Sequence, residues 1–273
     1  MTRSASSNFF TRAYNLARTS RLFEAPGVER VFLSSYFLYK RWYEDPFWAL
    51  AKRSPELFLG GDTLDIGANI GYTACVFAAA ASPGSKVHAF EPDQDSFLKL
   101  QQNIRRKRLT SRVNLYQSAV GRQEGTLEFW HNKEHSADHR VATEQFKDAR
   151  TIDENITRVA VTTVDRFVAS RNLQNIAFIK IDVQGYEPAV CEGMQETLEK
   201  FPKAVVAFEY APESIRELGL DPRSLLESFR ALGYSLYVLT RKATTPVRAD
   251  GELEVALKPK GYVDILCSKS SLD

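Results

Sequence analysis

Two acidic residues with a glycine turn between them are the part of the sequence best suited to hold a ligand. Asp65 stands near the end of an apolar run, and the turn that follows contains Gly67 and Gly71. A helix-like segment and a second apolar run come next, and that run ends in Glu91. This order is typical of a nucleotide-binding unit, in which glycines let the backbone approach the ligand closely. Glu91 could accept two charge-assisted hydrogen bonds from the hydroxyls of a ribose.

The charge of Asp65 narrows the choice of ligand. A like-charge contact at ~4 Å costs about 4 kcal/mol at an effective dielectric constant of roughly 20, and an opposite-charge contact gains as much before desolvation. An anionic pyrophosphate is therefore disfavoured here, and the glycines lack the Gly-x-Gly-x-x-Gly spacing of dinucleotide sites. S-adenosylmethionine carries an ammonium and a sulfonium beside its ribose, so it would suit both acids. The alternative is a glycine turn with a surface aspartate and no ligand.

Length and composition fit one large α/β domain with an extension. The chain has 273 residues, of which 44% are hydrophobic and 26% are charged, and its formal net charge is +2. Nucleic acid is not expected as a partner, because phosphate binding normally needs a dominant basic face. Cys75, Cys191 and Cys267 share no close spacing, which indicates reduced thiols rather than a disulfide framework or a zinc site.

No targeting segment is recognised in the sequence. Residues 1–4 do not lead into the apolar core and small-residue cleavage site of a signal peptide. The longest strictly apolar run, residues 74–81, is far shorter than the ~20 residues that span a bilayer. We therefore expect a soluble, cytoplasmic protein, whose oligomeric state the sequence does not fix.

Alternating strand-like and helix-like patterns predict a doubly wound, mostly parallel α/β sheet. Strands are predicted near 62–66, 86–90, 113–119, 159–163, 176–182, 204–210, 234–240 and 262–268. Helices are predicted near 70–81, 94–108, 164–171, 187–200 and 222–232. The connector 241–261 shows no helical pattern, so the final strand is expected to be antiparallel.

Residues 1–60 differ from the rest and are interpreted as a helical cap, with a ligand-binding domain over 61–273. Aromatic residues are concentrated in this segment, and several fall on one helical face. Two alternatives stay open. One is a helix that completes the core, and the other is a membrane-surface helix within residues 1–23, where four arginines are interleaved with phenylalanines.

Several separated motifs together resemble one enzyme family. They are Asp-Ile-Gly-Ala-Asn-Ile-Gly at 65–71, Phe-Glu-Pro at 90–92, Ser-Ala-Val-Gly at 118–121, Gly-Thr-Leu-Glu-Phe at 125–129, Thr-Val-Asp at 163–165 and Ile-Lys-Ile-Asp-Val-Gln-Gly-Tyr-Glu at 179–187. In this order, over roughly residues 60–212, they resemble the FkbM-type S-adenosylmethionine-dependent methyltransferases. The resemblance implies a class I, Rossmann-like fold of seven strands with an antiparallel last strand. It also implies methyl transfer to an oxygen of a sugar or secondary metabolite.

The same resemblance assigns a cofactor site. It implies that the methionine part of S-adenosylmethionine is surrounded by the glycine turn and its neighbours, namely Asp65, Gly67, Ala68, Asn69, Gly71 and Tyr72. Glu91 would hold the ribose, and Ser118 and Ala119 would lie beside the adenine. Gln184 stands where many members of the family carry an acid, so neither a metal ligand nor a base is expected at that position.

Asp182 is the first candidate for the transfer chemistry. It follows the apolar run 176–181, and open α/β sheets place ligands at the carboxyl ends of their strands. There it could stabilise the cofactor, orient the acceptor or accept a proton from an acceptor hydroxyl, and the alternative is that it caps a helix. Lys180 would point to the same side and could pair with Asp182. Glu187 is interpreted as a charge that complements a helix dipole.

Histidines supply a second set of candidates. His131, His135 and His139 cluster after the strand-like run 125–129. On a helix His135 and His139 would share a face, at a spacing compatible with a metal, but no third ligand is evident and no metal is expected. His135 is therefore a candidate general base, and the alternative is a polar loop with incidental histidines. His88 is interpreted as a packed histidine inside a strand.

These observations lead to one leading hypothesis. It is an S-adenosylmethionine-dependent O-methyltransferase that acts on a hydroxyl of a small molecule or glycan. Asp65 and Glu91 would grip the cofactor, Asp182 would face the transferred methyl, and residues 1–60 would close over the acceptor. The alternatives are a scaffold protein that keeps the fold without turnover and a nicotinamide-dependent dehydrogenase, which Asp65 and the missing middle glycine disfavour.

Overall fold

The structure, a computed structural model, describes residues 35, 37, 38, 40, 45–131, 139–149 and 155–272. Most of the predicted cap and the candidate base His135 therefore lie outside the described residues. Within the described ranges, no helix combines the length and the apolar character that crossing a membrane would require.

Twelve strands are found in the described part of the chain. In chain order they are β1 Asp62–Ile66, β2 Val87–Phe90, β3 Val113–Tyr116, β4 Ala119–Val120, β5 Gly125–Trp130, β6 Arg140–Val141, β7 Ile156–Thr162, β8 Ile176–Ile181, β9 Val205–Tyr210, β10 Ser235–Leu239, β11 Thr244–Pro246 and β12 Val263–Ser268.

Ten α-helices accompany these strands within the same described ranges. They are α1 Phe47–Arg53, α2 Tyr72–Ala80, α3 Gln94–Arg106, α4 Glu144–Ala149, α5 Val164–Ser170, α6 Glu187–Glu192, α7 Gln195–Lys200, α8 Pro212–Glu217, α9 Pro222–Ala231 and α10 Asp250–Leu257. A short 3-10 helix, Pro55–Phe58, follows α1.

The main sheet has eight strands in the order β11-β10-β12-β9-β8-β1-β2-β3. The pairs from β3 through β2, β1 and β8 to β9 are parallel, whereas β12 runs antiparallel to both β9 and β10. The predicted mostly parallel sheet with an antiparallel last strand is confirmed. The expected seven strands are joined by β11, a three-residue strand at the edge beside β10.

A second, smaller sheet corrects two of the predicted strands. The predicted strand 113–119 is broken into β3 and β4, and the predicted strand 159–163 is part of β7, which does not belong to the main sheet. Instead β7 pairs with β4 and β5. The break is physically reasonable because the backbone of β4 is hydrogen-bonded to β7, so the chain must leave the main sheet after Tyr116.

Two helix predictions are also corrected. The predicted helix 187–200 is two helices, α6 and α7, with Gly193 between them. A Cβ at Gly193 would lie 2.2 Å from the carbonyl oxygen of Gly121, so the break occurs where two backbones touch. The connector 241–261, expected to lack a helix, contains α10, whose Leu253 is buried in the core.

The core on one face of the sheet is organised around an aromatic side chain. Phe178 of β8 is fully buried and contacts the rings of Phe47, Phe58 and Phe77, with centroid distances of 6.3, 4.6 and 5.5 Å. Phe47 begins α1 and Phe58 ends the 3-10 helix. Residues 47–58 therefore complete the hydrophobic core, as one of the alternatives for the N-terminal segment requires.

Truncation of this aromatic cluster should be costly. We expect Phe178→Ala to lower the free energy of unfolding by about 3–5 kcal/mol, because it leaves a cavity among three rings. Leu98→Ala on α3 is the control, since Leu98 is exposed, and its effect should stay within about 0.5 kcal/mol. Urea unfolding measures both changes, and equal effects would contradict this description of the core.

Candidate active site

The turn after β1 holds the carboxyl end of the sheet together. The backbone N–H groups of Gly67 and Ala68 donate to the carbonyl oxygen of Phe90, at 3.0 and 2.9 Å. Gly67 has a φ of +78°, and a Cβ there would lie 1.9 Å from the carbonyl oxygen of Asp182. Only glycine fits this position, so the turn brings the tips of β1, β2 and β8 into contact.

Glu91 joins the tip of β2 to the same turn. Its Oε2 accepts a hydrogen bond from the N–H of Asn69, and its Oε1 accepts one from the N–H of Asp93, both at 2.9 Å. The residue is only 6% exposed. Burial raises the pKa of Glu91 to about 8, with the N–H bonds opposing the shift and the charge of Asp93 adding to it. A carboxyl group so placed would respond strongly to a new hydrogen-bond donor.

Asp65, Lys180 and Asp182 form an ion network in which Asp65 and Lys180 are buried. The Nζ of Lys180 lies 3.4 Å from Oδ1 of Asp65 and 3.5 Å from Oδ2 of Asp182, and it donates to the carbonyl oxygen of Gly67 at 2.9 Å. The other oxygen of Asp65 accepts a hydrogen bond from Thr73 at 2.7 Å. The predicted pairing of Lys180 with Asp182 is thus confirmed, and it extends to Asp65 across the strand pair.

The burial of Asp65 and its pairing with Lys180 limit the effect that its charge can have on a ligand. Burial raises the pKa of Asp65, while Lys180 and the Thr73 hydrogen bond oppose that shift. Burial alone would lower the pKa of Lys180, but Asp182 and Asp65 raise it well above its usual range. The charge of Asp65 is therefore balanced within the protein, and its direct contact with a cofactor stays a prediction.

Asp182 does not cap a helix, so that alternative is wrong. Helix α6 begins at Glu187, and Tyr186 is at the N-cap position. The side chain of Asp182 is 37% exposed, and its Oδ1 accepts a hydrogen bond from Nε2 of Gln184 at 2.8 Å. Glu187 is fully buried and accepts hydrogen bonds from the N–H groups of Val183 and Gly185. Glu187 thus stabilises the loop from which Asp182 reaches solvent.

Three further acidic residues near Asp182, namely Glu209, Asp264 and Asp45, were not predicted as site residues from the sequence. Glu209 on β9 and Asp264 on β12 are register partners, and Nε2 of Gln184 lies 3.4 Å from Oε1 of Glu209. Burial raises the pKa of Glu209 well above its usual value, that of Asp264 to about 7 and that of Asp45 to about 6. The sequence contained a usable signal for Asp264, which stands at the start of β12. An antiparallel strand such as β12 starts at the edge of the sheet where the parallel strands end.

Three more of the predicted cofactor residues are Tyr72, Ser118 and Ala119. Tyr72 begins α2 and is buried, with its ring 5.5 Å from that of Phe37 in an edge-to-face contact. Ala119 is a buried residue of β4. The hydroxyl of Ser118 lies 2.8 Å from the carbonyl oxygen of Ala119 and 3.1 Å from that of Ala160. The contact of Ser118 and Ala119 with adenine stays a prediction.

Two of the three clustered histidines lie within the described residues. His131 and His139 converge on one carboxylate, that of Asp93, whereas His135 lies outside the described residues. Burial alone would raise the pKa of Asp93, but hydrogen bonds from His131 and the Ser96 N–H hold it well below its usual value. Asp93 is not evident from the sequence as a partner of these histidines, because it lies 38 residues from His131.

His88 is packed inside β2, as predicted. Its Nδ1 lies 3.1 Å from the hydroxyl of Tyr116, and its Nε2 lies 3.1 Å from Oδ2 of Asp62. Both ring nitrogens therefore have partners within the fold.

The sequence is similar to several known methyltransferases. Residues 65–236 match the family described as the methyltransferase FkbM domain. The hexuronic acid methyltransferase AglP of Haloferax volcanii is 26% identical over 162 residues, 59% of this chain and 58% of AglP. The 31-O-demethyl-FK506 methyltransferase FkbM of Streptomyces tacrolimicus is 28% identical over 183 residues, 59% of this chain and 68% of the relative.

A solved structure also aligns with the fold. The crystal structure of the methyltransferase FkbM from Methylobacillus flagellatus aligns with a TM-score of 0.49 and 18% identity, and covers 88% of this chain and 52% of that one. The chain spans little more than half the length of AglP, with 58% of it aligned. Because the family match covers more than half of the sequence, this chain belongs to the FkbM methyltransferase family.

Proposed function

We propose that this chain is an S-adenosylmethionine-dependent O-methyltransferase that acts on a hydroxyl of a sugar or secondary metabolite. The observation that carries the proposal is the convergence of Glu91, the turn 67–71 and the exposed carboxylate of Asp182 at one edge of the sheet. Open α/β sheets bind their ligands at this edge. The names of the relatives AglP and FkbM, one a hexuronic acid methyltransferase and the other a 31-O-demethyl-FK506 methyltransferase, support the substrate class.

The residues of this edge suit an adenosyl ligand. Each oxygen of Glu91 accepts one backbone N–H, and a carboxylate oxygen has a second lone pair that can accept a ribose hydroxyl. The turn that begins at Gly67 would pass close to the methionine part of S-adenosylmethionine. Lys180 fixes that turn, because its Nζ donates to the carbonyl oxygen of Gly67. Bound S-adenosylmethionine would supply a methyl group activated by its sulfonium.

Asp182 and its neighbours would manage the acceptor. Methyl transfer requires in-line alignment of the acceptor and exclusion of water, and a hydroxyl acceptor also needs a base for its proton. Asp182 is the exposed carboxylate of the group, and Gln184 orients it. Gln184 also approaches Glu209, the register partner of Asp264, and the raised pKa values of these two acids favour protonated forms that could donate a hydrogen bond to the acceptor.

The N-terminal segment would cover the acceptor site. The carboxyl group of Asp45 accepts a hydrogen bond from the N–H of Phe47, and its charge acts on both Lys180 and Asp264. Asp45, which stands just before α1, therefore lies near Lys180 and Asp264. This position supports a covering role for the part of the proposed cap 1–60 that precedes α1, whereas residues 47–58 pack into the core of the proposed methyltransferase domain 61–273.

The ribose role of Glu91 is tested by calorimetric titration with S-adenosylhomocysteine. At about pH 8.5, where Glu91 is mostly ionised, we expect Glu91→Gln to weaken binding about 10- to 100-fold, because hydrogen bonds to a charged group contribute about 1.5–3 kcal/mol. Glu227→Gln on α9 is the matched control, since Glu227 is exposed and distant in the fold, and its affinity should not change. Equal affinities of the two variants, or tight binding of NAD, would contradict the assignment.

Glu91 also predicts how cofactor affinity depends on pH. Its pKa is raised to about 8, so the group is mostly protonated at neutral pH. Ribose hydroxyls bind a carboxylate more strongly than a neutral carboxylic acid, so binding should release a proton and strengthen as pH rises towards 8, by up to about tenfold per pH unit. Titrations between about pH 6.5 and 8.5 measure the slope. Glu91→Gln should flatten it, because an amide does not titrate, and an unchanged slope would exclude Glu91 as its source.

The base role of Asp182 is tested with labelled methyl donor and a panel of hydroxylated sugars and metabolites. We expect Asp182→Asn to lower kcat by about 10²- to 10⁴-fold, the typical contribution of a general base. Its affinity for S-adenosylhomocysteine should change far less. Glu199→Gln, an exposed position on α7, is the control. Undiminished turnover of Asp182→Asn would remove the base role, and failure to methylate any acceptor would favour the scaffold alternative.

A further inference from the structure

A second polar cluster lies beside the ribose carboxylate and takes no part in the proposed methyl transfer. Asp93 is the N-cap residue of α3, His131 follows β5 directly, and His139 precedes β6 directly. Each of the three offers one ligand atom, and these atoms all lie within 4.8 Å of one another. The cluster therefore joins the connection between β5 and β6 to the start of α3.

The ligand atoms of the cluster lie close enough together to surround one ion. Nδ1 of His131 lies 2.8 Å from Oδ1 of Asp93, which is a hydrogen bond that an ion could replace. Nε2 of His139 lies 3.7 Å from Oδ2 of Asp93, too far for a direct hydrogen bond. Two ligands at ~2.1 Å from a tetrahedral ion are separated by about 3.4 Å, close to this spacing.

The groups behind the cluster hold two of its members in position. Nε2 of His131 lies 2.6 Å from the hydroxyl of Thr157, so it can donate there while Nδ1 faces Asp93. Oδ2 of Asp93 accepts a hydrogen bond from the N–H of Ser96 at 2.7 Å. Histidine and carboxylate ligands of metals are usually oriented by partners of this kind.

The surroundings also fix the two imidazoles. The ring of Phe129 is 5.5 Å from that of His131 and 6.2 Å from that of His139, both in edge-to-face contact. The side chain of Asp93 is nearly buried, at 5% exposure. Its carboxylate is thus held in a site from which most water is excluded, with two nitrogen donors facing it.

We propose that Asp93, His131 and His139 bind a divalent transition-metal ion of the zinc class. Two imidazole nitrogens and one carboxylate oxygen are a donor set that suits Zn²⁺ and Co²⁺, whereas Mg²⁺ and Ca²⁺ prefer oxygen ligands. The ion fastens the β5–β6 connection to α3. Because the N–H of Asp93 donates to Glu91, the ion also holds the backbone beside the proposed ribose site. The site itself does not depend on the proposed function.

The experiment is a titration of the full chain, stripped of metal by dialysis against chelator, with Zn²⁺ alone and with Co²⁺ alone. We expect one ion per chain, visible absorption typical of Co²⁺ with nitrogen ligands, and a higher Tm in the presence of Zn²⁺. Neither methyl donor nor acceptor is present, so failure of the methyltransferase assignment would leave this result unchanged.

Variants locate the ion. Asp93→Asn keeps a helix-capping side chain but loses the anionic ligand, and it should weaken Zn²⁺ binding at least 100-fold. His139→Gln should do the same, and it carries the test if Asp93→Asn does not fold, because it leaves the helix cap formed by Asp93 intact. His88→Gln is the matched control, since His88 is bound to Asp62 and Tyr116, and binding should be unaffected.

Three results would overturn the proposal. They are no stoichiometric binding of either ion, binding that survives both Asp93→Asn and His139→Gln, and equal loss of binding in His88→Gln. A loss produced by His135→Ala while Asp93→Asn still binds would place the ion elsewhere and would also overturn it.

Discussion

The ion network around Lys180 is the interaction on which the carboxyl edge of the sheet depends. A buried ammonium is tolerated only if carboxylates compensate it, and removal of one partner of such a group typically costs about 3–5 kcal/mol. Asp65 supplies one carboxylate from β1 and Asp182 supplies the other from the end of β8. The third bond of Lys180, to the carbonyl oxygen of Gly67, fixes the glycine turn between them. The network is therefore both structural and part of the candidate site.

Glu91 extends this arrangement from β1 to the end of the neighbouring strand β2. Its two oxygens connect the glycine turn, through Asn69, with the start of α3, through Asp93. The same aspartate faces His131 and His139 on the smaller sheet. The candidate cofactor site and the candidate metal site thus belong to one chain of hydrogen bonds. A structural change at one site could therefore alter the other through the backbone of Asp93.

Periodicity predicted the main sheet well but could not assign strands to sheets. The runs that became β1, β2, β8 and β9 are almost entirely buried, and those of β2, β8 and β9 are mostly apolar, because both faces of these strands are covered. In β7 the exposed and half-buried positions give no sign of its partner, so its place in the smaller sheet could not be read. The break after α6 was missed for a related reason, since it arises where Gly193 touches the backbone of Gly121.

The sequence by itself determined the residues whose signals are local. The glycine turn, Glu91 after β2 and Asp182 after β8 are each marked by neighbours within a few positions, because they follow the ends of apolar strands. Only the tertiary structure decided which distant side chains join them. Glu209 meets Asp264 through the antiparallel pairing of β9 and β12, and His131 meets Asp93 across 38 residues. Such contacts depend on strand order and on the packing of two sheets, and neither leaves a periodic signal in the chain.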